Sequence, residues 1–187
     1  MRLAILVSGK GSILEAIFDS GIDISLVVAD RECEAIKLAL DRGLEAELIK
    51  RSDFCEKFDR VAYTNQLVKR LKVADIELIA MAGFGTILEK PLYDNYAGKV
   101  LNTHPSLLPA FPGWNAVEEA IVAGVEKTGC IIHQATLEVD SGPILSQETV
   151  PILEGDDVAS LHERIKITER KLYVSVIKRI MNEPDYG

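Results

Sequence analysis

The sequence predicts an α/β protein: a doubly wound, mostly parallel, Rossmann-like sheet with an antiparallel hairpin at one edge and a long C-terminal helix. Three observations carry that prediction. Short continuous apolar runs at residues 3–7, 26–29, 46–49, 78–82 and 99–103 alternate with helical segments, as buried parallel strands do. The first run passes through a glycine turn straight into a helix, the opening of a βαβ unit. Late in the chain, two strand-like runs are joined by Asp140-Ser141-Gly142-Pro143, which implies a returning strand at the sheet edge.

Taken in order, Leu3-Ala4-Ile5-Leu6-Val7 leads into Ser8-Gly9-Lys10-Gly11-Ser12, and a helix is expected over residues 12–20. Bare N–H groups at that helix start suit a phosphate, and two glycines permit close approach to the backbone. A dinucleotide fingerprint would need Gly or Ala at position 14, where Leu stands, and the phosphate loop of nucleoside triphosphatases is absent. Asp30, after the second strand, reads as a strand-end or helix-capping residue. A helix over residues 33–42 ends at Gly43. Phe58, Val61, Ala62, Val68 and Leu71 suggest another, with Arg60 near its start. Residues 78–82 form the fourth strand, ended by Gly83-Phe84-Gly85, and Thr86-Ile87-Leu88 emerges from its carboxyl end either as core packing or as the lining of a pocket for a flat ring. Residues 99–103 are the fifth strand. Past a proline-bounded loop, a helix runs to about Ala123, and residues 128–135 and 144–150 form the hairpin strands. The last helix starts near Asp156 or Asp157, with Val158, Leu161, Ile165, Leu172 and Val176 as its apolar stripe. Residues 1–187 are expected to form one domain.

Bulk properties exclude several classes. A net charge of −8 disfavours binding to a nucleic-acid backbone or an anionic membrane. No apolar run approaches membrane-spanning length, and the first apolar run is too short for a signal peptide. Three cysteines without a Cys-x-x-Cys pair point to a reduced, cytoplasmic setting with no disulfide framework and no metal site.

The stretch Asn102-Thr103-His104-Pro105-Ser106-Leu107-Leu108-Pro109 holds the chemistry. Asn102 and His104 sit at period two, so their side chains leave one strand on the same side. They do so at a carboxyl end, where parallel sheets bind ligands. On spacing alone, an ordinary strand end with a satisfied histidine fits equally well. Asp140 is expected beside them, and an adjacent carboxylate favours the imidazolium. A cationic ring and an amide donor aimed at one point suit an oxygen that becomes anionic in a transition state. No Ser or Cys is placed as a nucleophile, which favours direct attack by a substrate amine on an acyl donor. His133 is assigned a supporting or packing role and His162 a surface role. Glu169 falls within the apolar stripe of the last helix, so it needs either a salt bridge to a neighbouring strand or a ligand.

Together, Ser8-Gly9-Lys10-Gly11-Ser12, Ala82-Gly83-Phe84, Asn102-x-His104-Pro105-Ser106-Leu107-Leu108-Pro109, Pro112-Gly113 and Asp140-Ser141-Gly142-Pro143 resemble the folate-dependent formyltransferases. The resemblance runs in order over essentially the whole chain. The glycine turn and Glu169 select the branch that acts on glycinamide ribonucleotide in purine synthesis. The resemblance implies transfer of a formyl group from 10-formyltetrahydrofolate, as co-substrate and without a metal, to the ribonucleotide amine. By the same likeness Asn102 and His104 stabilise the oxyanion, His104 passes a proton to the leaving nitrogen, and Asp140 assists. Backbone groups of Gly11, Ser12 and Ile13 hold the phosphate, and Glu169 grips the glycinamide end. Gly85, Thr86, Ile87 and Leu88, with Asn102, meet the folate ring, and Arg60 its glutamate tail. Small-molecule partners, no nucleic acid, no membrane and a monomer or homodimer are expected.

The chain departs from the family at named positions. Ile13 stands where Asn is usual, which keeps a backbone phosphate contact and loses a side-chain one. Gly85-Thr86 replaces a larger pair, often Met-Arg, so a looser or differently closed folate pocket is expected. Asn115 replaces a frequent His. Formyltetrahydrofolate hydrolases share the centre but usually carry an amino-terminal regulatory domain, whereas the first strand here begins at residue 3. Methionyl-tRNA formyltransferases add a carboxyl-terminal domain, whereas this acidic chain ends with its last helix. A non-catalytic phospho-ligand module would want a full glycine fingerprint and has no need of Asn102, His104 and Asp140.

Overall fold

The computed structural model describes residues 1–52, 58–183 and 186. The elements run β1 (Leu3–Val7), α1 (Ser12–Asp19), β2 (Leu26–Ala29), α2 (Glu34–Asp41), β3 (Ala46–Leu48), α3 (Arg60–Val73), β4 (Leu78–Ala82), α4 (Lys90–Asn95), β5 (Val100–His104), α5 (Ala116–Val122), β6 (Lys127–Gln134), β7 (Ile144–Pro151) and α6 (Val158–Asn182). The strands form one seven-stranded sheet in the order β3-β2-β1-β4-β5-β6-β7. Strands β1 to β5 pair in parallel, and β7 runs antiparallel to β6. The expected mostly parallel sheet with an antiparallel edge is therefore the observed one.

Contacts divide the chain into two units, Met1–Leu101 and Asn102–Tyr186. In the first, β1, β2 and β4 are fully apolar and buried at every position, which is why they read as continuous hydrophobic runs. Chain order reverses between β1 and β4, the two strands that flank the switch point of this sheet. The glycine turn leaves the carboxyl end of β1, and the segment beginning at Gly83 leaves the carboxyl end of β4. At the turn, Gly11 caps α1 with φ of 85°. A side chain there would also strike Ala35, whose Cβ would lie 2.9 Å from the added carbon, so glycine is required twice over.

In the second unit α6 lies on β6 and β7. Its start is closed by a reciprocal pair: Asp157 accepts from the Ser160 N–H, and the Ser160 hydroxyl accepts from the Asp157 N–H. Leu161, Ile165, Leu172, Tyr173, Val176, Ile177 and Ile180 bury its inner face, each apolar side chain contributing about 1.5–3 kcal/mol. Val158, expected in that stripe, is exposed because it begins the first turn, before the helix meets the sheet. His162 is half-buried rather than superficial, and burial lowers its pKa.

Other expectations shift slightly. The short helix α4 was not expected; Pro91 in its first turn is the sequence sign of its start. Strand β5 extends through His104, one residue beyond the expected end. Cys33 and Cys130 are free thiols, and Cys55 lies outside the described residues. Burial pushes the Cys130 thiol up to about 12, which leaves it unreactive. Among the described residues no helix is long and apolar enough to cross a membrane.

Candidate active site

Strand β5 presents its last three residues to two different sides. Alternation sends Asn102 and His104 one way and Thr103 the other. On the first side stand Asp140, from the loop between β6 and β7, and His133, near the end of β6. His104 Nδ1 lies 3.3 Å from Asp140 Oδ2. The Gly113 N–H donates to the same carboxylate oxygen at 3.0 Å. Asp140 sits at φ of 55°, a left-handed conformation that Asp tolerates better than most residues. Of the three residues expected together, His104 and Asp140 meet directly, and Asn102 joins them through His133, which lies 3.2 Å from Asn102 and 3.8 Å from Asp140.

His133, given only a supporting place in the sequence, is the residue that aims Asn102. Burial is the largest influence on its ring and pushes the pKa down, so the ring is neutral near pH 7. Its Nδ1 faces the Gln134 carbonyl at 3.1 Å, and a carbonyl only accepts, so Nδ1 holds the proton. Nε2 is then the acceptor, and it receives the Asn102 Nδ2–H at 3.2 Å. This tautomer fixes the amide: its NH2 edge faces His133. The 3.8 Å approach of His133 Nε2 to Asp140 Oδ1 is not an ion pair while the ring is neutral.

His104 is itself nearly inaccessible. Its Nε2 faces the Phe111 carbonyl at 2.8 Å, and the Ser106 hydroxyl donates to the carbonyls of Ala110 and Phe111. Both ring nitrogens thus face oxygen acceptors, an arrangement that the doubly protonated ring satisfies at both ends. The loop of residues 105–114 is tied at three points. Phe111 meets His104, Gly113 meets Asp140, and Leu107 seats over Gly129 of β6. A Cβ at position 129 would lie 2.7 Å from Leu107 Cδ2 and 2.1 Å from the Glu148 carbonyl oxygen.

On the other side of β5, the Thr103 hydroxyl donates to Glu169 Oε1 at 2.7 Å. The buried carboxylate of α6 therefore meets a hydroxyl of the neighbouring strand, where a salt bridge was one of the two expectations. Burial raises the Glu169 pKa, and the Thr103 bond and the charges of Lys166, Arg170 and His104 offset only part of that. A carboxyl raised in the folded state leaves stability intact below its unfolded value, near the ordinary 4.5. Stability then declines as pH climbs towards the folded value, because the unfolded chain ionises first. Glu169→Gln removes the decline. Its melting temperature relative to the parent is expected to rise between about pH 4.5 and the folded pKa, then level off. Thermal melts at stepped pH check this, and parallel curves for the two proteins would contradict it.

The remaining predicted residues lie in the first unit. Gly11 and Ser12 stand at the start of α1, and the Ile13 side chain is buried. Arg60 opens α3 and stands 4.0 Å from Glu89, both partly exposed. The Gly85 N–H donates to Ser8 Oγ at 2.6 Å. Thr86 is buried and its hydroxyl donates to Asp30 Oδ2 at 2.7 Å. Asp30 is not a helix cap, since Cys33 precedes α2. It is a fully buried carboxylate gripped by Arg31 Nε and Nη2 at 2.9 and 3.0 Å. Ile87 is partly buried and Leu88 almost wholly so.

A family model described as formyl transferase matches residues 1–177. The phosphoribosylglycinamide formyltransferase of Mycobacterium tuberculosis (strain CDC 1551 / Oshkosh) is 38% identical over 181 residues, 94% of this chain and 83% of that protein. That of Bacillus subtilis (strain 168) is 34% identical over 196 residues, 100% of this chain and 97% of that protein. The crystal structure of phosphoribosylglycinamide formyltransferase from Bacillus Halodurans matches with a TM-score of 0.91 at 31% identity, covering 100% of this chain and 99% of the other. Likeness of sequence and fold over nearly every residue, with the paired Asn and His at the end of β5, leads to one assignment: the chain belongs to the formyl transferase family.

Proposed function

We propose that this enzyme transfers the formyl group of 10-formyltetrahydrofolate to the amine of glycinamide ribonucleotide, a step of purine synthesis. The observation that carries the reading is the His104–Asp140 contact at 3.3 Å beside a carboxamide that His133 holds in one orientation. One Asn102 N–H is committed to His133, and among the described residues none accepts the second, which is available to an oxyanion. The substrate amine adds to the formyl carbon. His104 and Asn102 then face the resulting oxygen, with the charge of the ring balanced by Asp140. The bond from carbon to the folate nitrogen breaks, and His104 supplies the proton that this nitrogen takes up. The amine loses a proton to water ordered by Asp140. For His104 to reach substrate, its Nε2 must first exchange the Phe111 carbonyl for the substrate oxygen.

In this reading Gly11, Ser12 and Ile13 hold the ribonucleotide phosphate through backbone groups, and Glu169 holds the glycinamide end. Gly85, Thr86, Ile87, Leu88 and Asn102 line the folate-ring pocket, and Arg60 meets the glutamate tail. Residues 1–187 act as one domain, monomeric or homodimeric, in the cytoplasm, with no metal in the reaction. The family assignment supports formyl transfer, and the likeness to phosphoribosylglycinamide formyltransferases supports the ribonucleotide as acceptor. The test is to follow deformylated folate with and without glycinamide ribonucleotide. Ribonucleotide-dependent turnover is expected. Turnover without it would indicate a hydrolase, and no turnover would indicate a binding module.

A further inference from the structure

Asp30 is a buried charge that the proposed chemistry does not use. It stands at the carboxyl end of β2, next to β1 and, beyond it, β4. Its carboxylate accepts from Arg31 twice and from the Thr86 hydroxyl. Burial would raise its pKa, yet hydrogen bonds from Arg31, Thr86 and Ser8, with the Arg31 charge, hold it below the usual carboxylate range. The carboxylate is therefore charged at neutral pH, and a charge with no exposure persists only where its partners are fixed.

Those partners come from three strand ends. Ser8 begins the glycine turn after β1, Arg31 follows β2, and Thr86 belongs to the segment after β4. The same segment is tied a second time, by the Gly85 N–H on Ser8 Oγ. At Gly85, a Cβ would lie 2.6 Å from Arg31 Nη2 and 3.4 Å from Ser8 Oγ. The guanidinium thus occupies the space that a side chain at position 85 would take. Of the looser or differently closed pocket expected from Gly85-Thr86, this arrangement fits the second: the space beside Gly85 is taken by a residue two strands away in sequence. These ties gather at the carboxyl ends of the strands flanking the switch point, where open α/β sheets bind ligands.

We infer that Asp30 is the positioning residue of segment 85–88: through Thr86 and Arg31 it sets where that backbone stands against the glycine turn, and so sets affinity for the flat ring of the folate. The inference rests on the reading of 85–88 as the folate-ring segment. Asp30 is a poor probe of its own role, since deleting it strands three donors around a void. Thr86→Val keeps the shape and removes the hydroxyl. It is expected to weaken tetrahydrofolate binding, measured by calorimetry, about tenfold, the scale of one lost bond to a charged acceptor. The KM for glycinamide ribonucleotide should stay within about twofold on the same grounds, because the glycine-turn backbone is untouched. Thr86→Ser should restore folate affinity. A second route spares the Asp30–Thr86 bond. Gly85→Ala displaces the guanidinium and should weaken folate binding in the parent. In an Arg31→Ala background it should add no further loss, because the collision is gone. Unchanged folate affinity in Thr86→Val, equal weakening of both ligands, or additive losses in the Arg31 and Gly85 pair would overturn the inference alone. A parent protein that binds no tetrahydrofolate would overturn it together with the proposed function.

Discussion

His104→Ala is expected to lower kcat for formyl transfer by about two to four orders of magnitude, because one side chain supplies both charge at the oxyanion and the proton for the leaving nitrogen. The affinity for either substrate should change far less. The ring is nearly inaccessible and is held by Asp140 on one nitrogen and the Phe111 carbonyl on the other. Its contribution therefore belongs to the transition state, and kcat and kcat/KM should fall together. Removing a ring that two loops grip also leaves a cavity, so thermal melts should accompany the kinetics. A kcat within a few-fold of the parent, from protein that melts normally, would remove His104 from the chemistry.

Asp140→Asn carries the second large effect. The carboxylate accepts from the Gly113 N–H and faces His104 Nδ1 with the same oxygen. An amide at this position has one accepting oxygen and one donating NH2. If the oxygen stays on Gly113 and His104, the ring loses the negative charge that favours its protonated form. If the NH2 turns inward, it meets two donors. Either way the charged ring is disfavoured, and kcat is expected to fall at least about a hundredfold, the lower end of what a proton-transfer group contributes. Thermal melts separate this from damage to the fold. A variant that melts like the parent and keeps a kcat within a few-fold would remove Asp140 from the chemistry.

Much of this was legible in the chain. Continuous apolar runs gave the parallel strands, and period two put Asn102 and His104 on one side of β5. The same period also implied that Thr103 faces the other side. Nothing in the sequence, however, said that Glu169 would be there to meet it, because that pairing depends on how α6 crosses the sheet. Asp30 stands at a strand end, one of its two expected places, and is not the cap that a lone Asp after a strand also resembles. Only the adjacency of β2, β1 and β4 makes it the centre of a buried network. His133 illustrates the limit of residue type as a signal. Its neutral tautomer is set by a carbonyl one residue along and by burial, and neither is visible in one-dimensional spacing.

Gly129 shows how far the reacting centre extends into the scaffold. Its missing side chain is the notch that receives Leu107 and lets β7 lie close. A bulkier residue there would strike the Glu148 carbonyl of β7, which yields only if the strand moves, and would push the Leu107 side chain off its seat. A survey of inactivating substitutions would therefore score this strand glycine beside the polar residues of the centre, although no ligand need ever touch it.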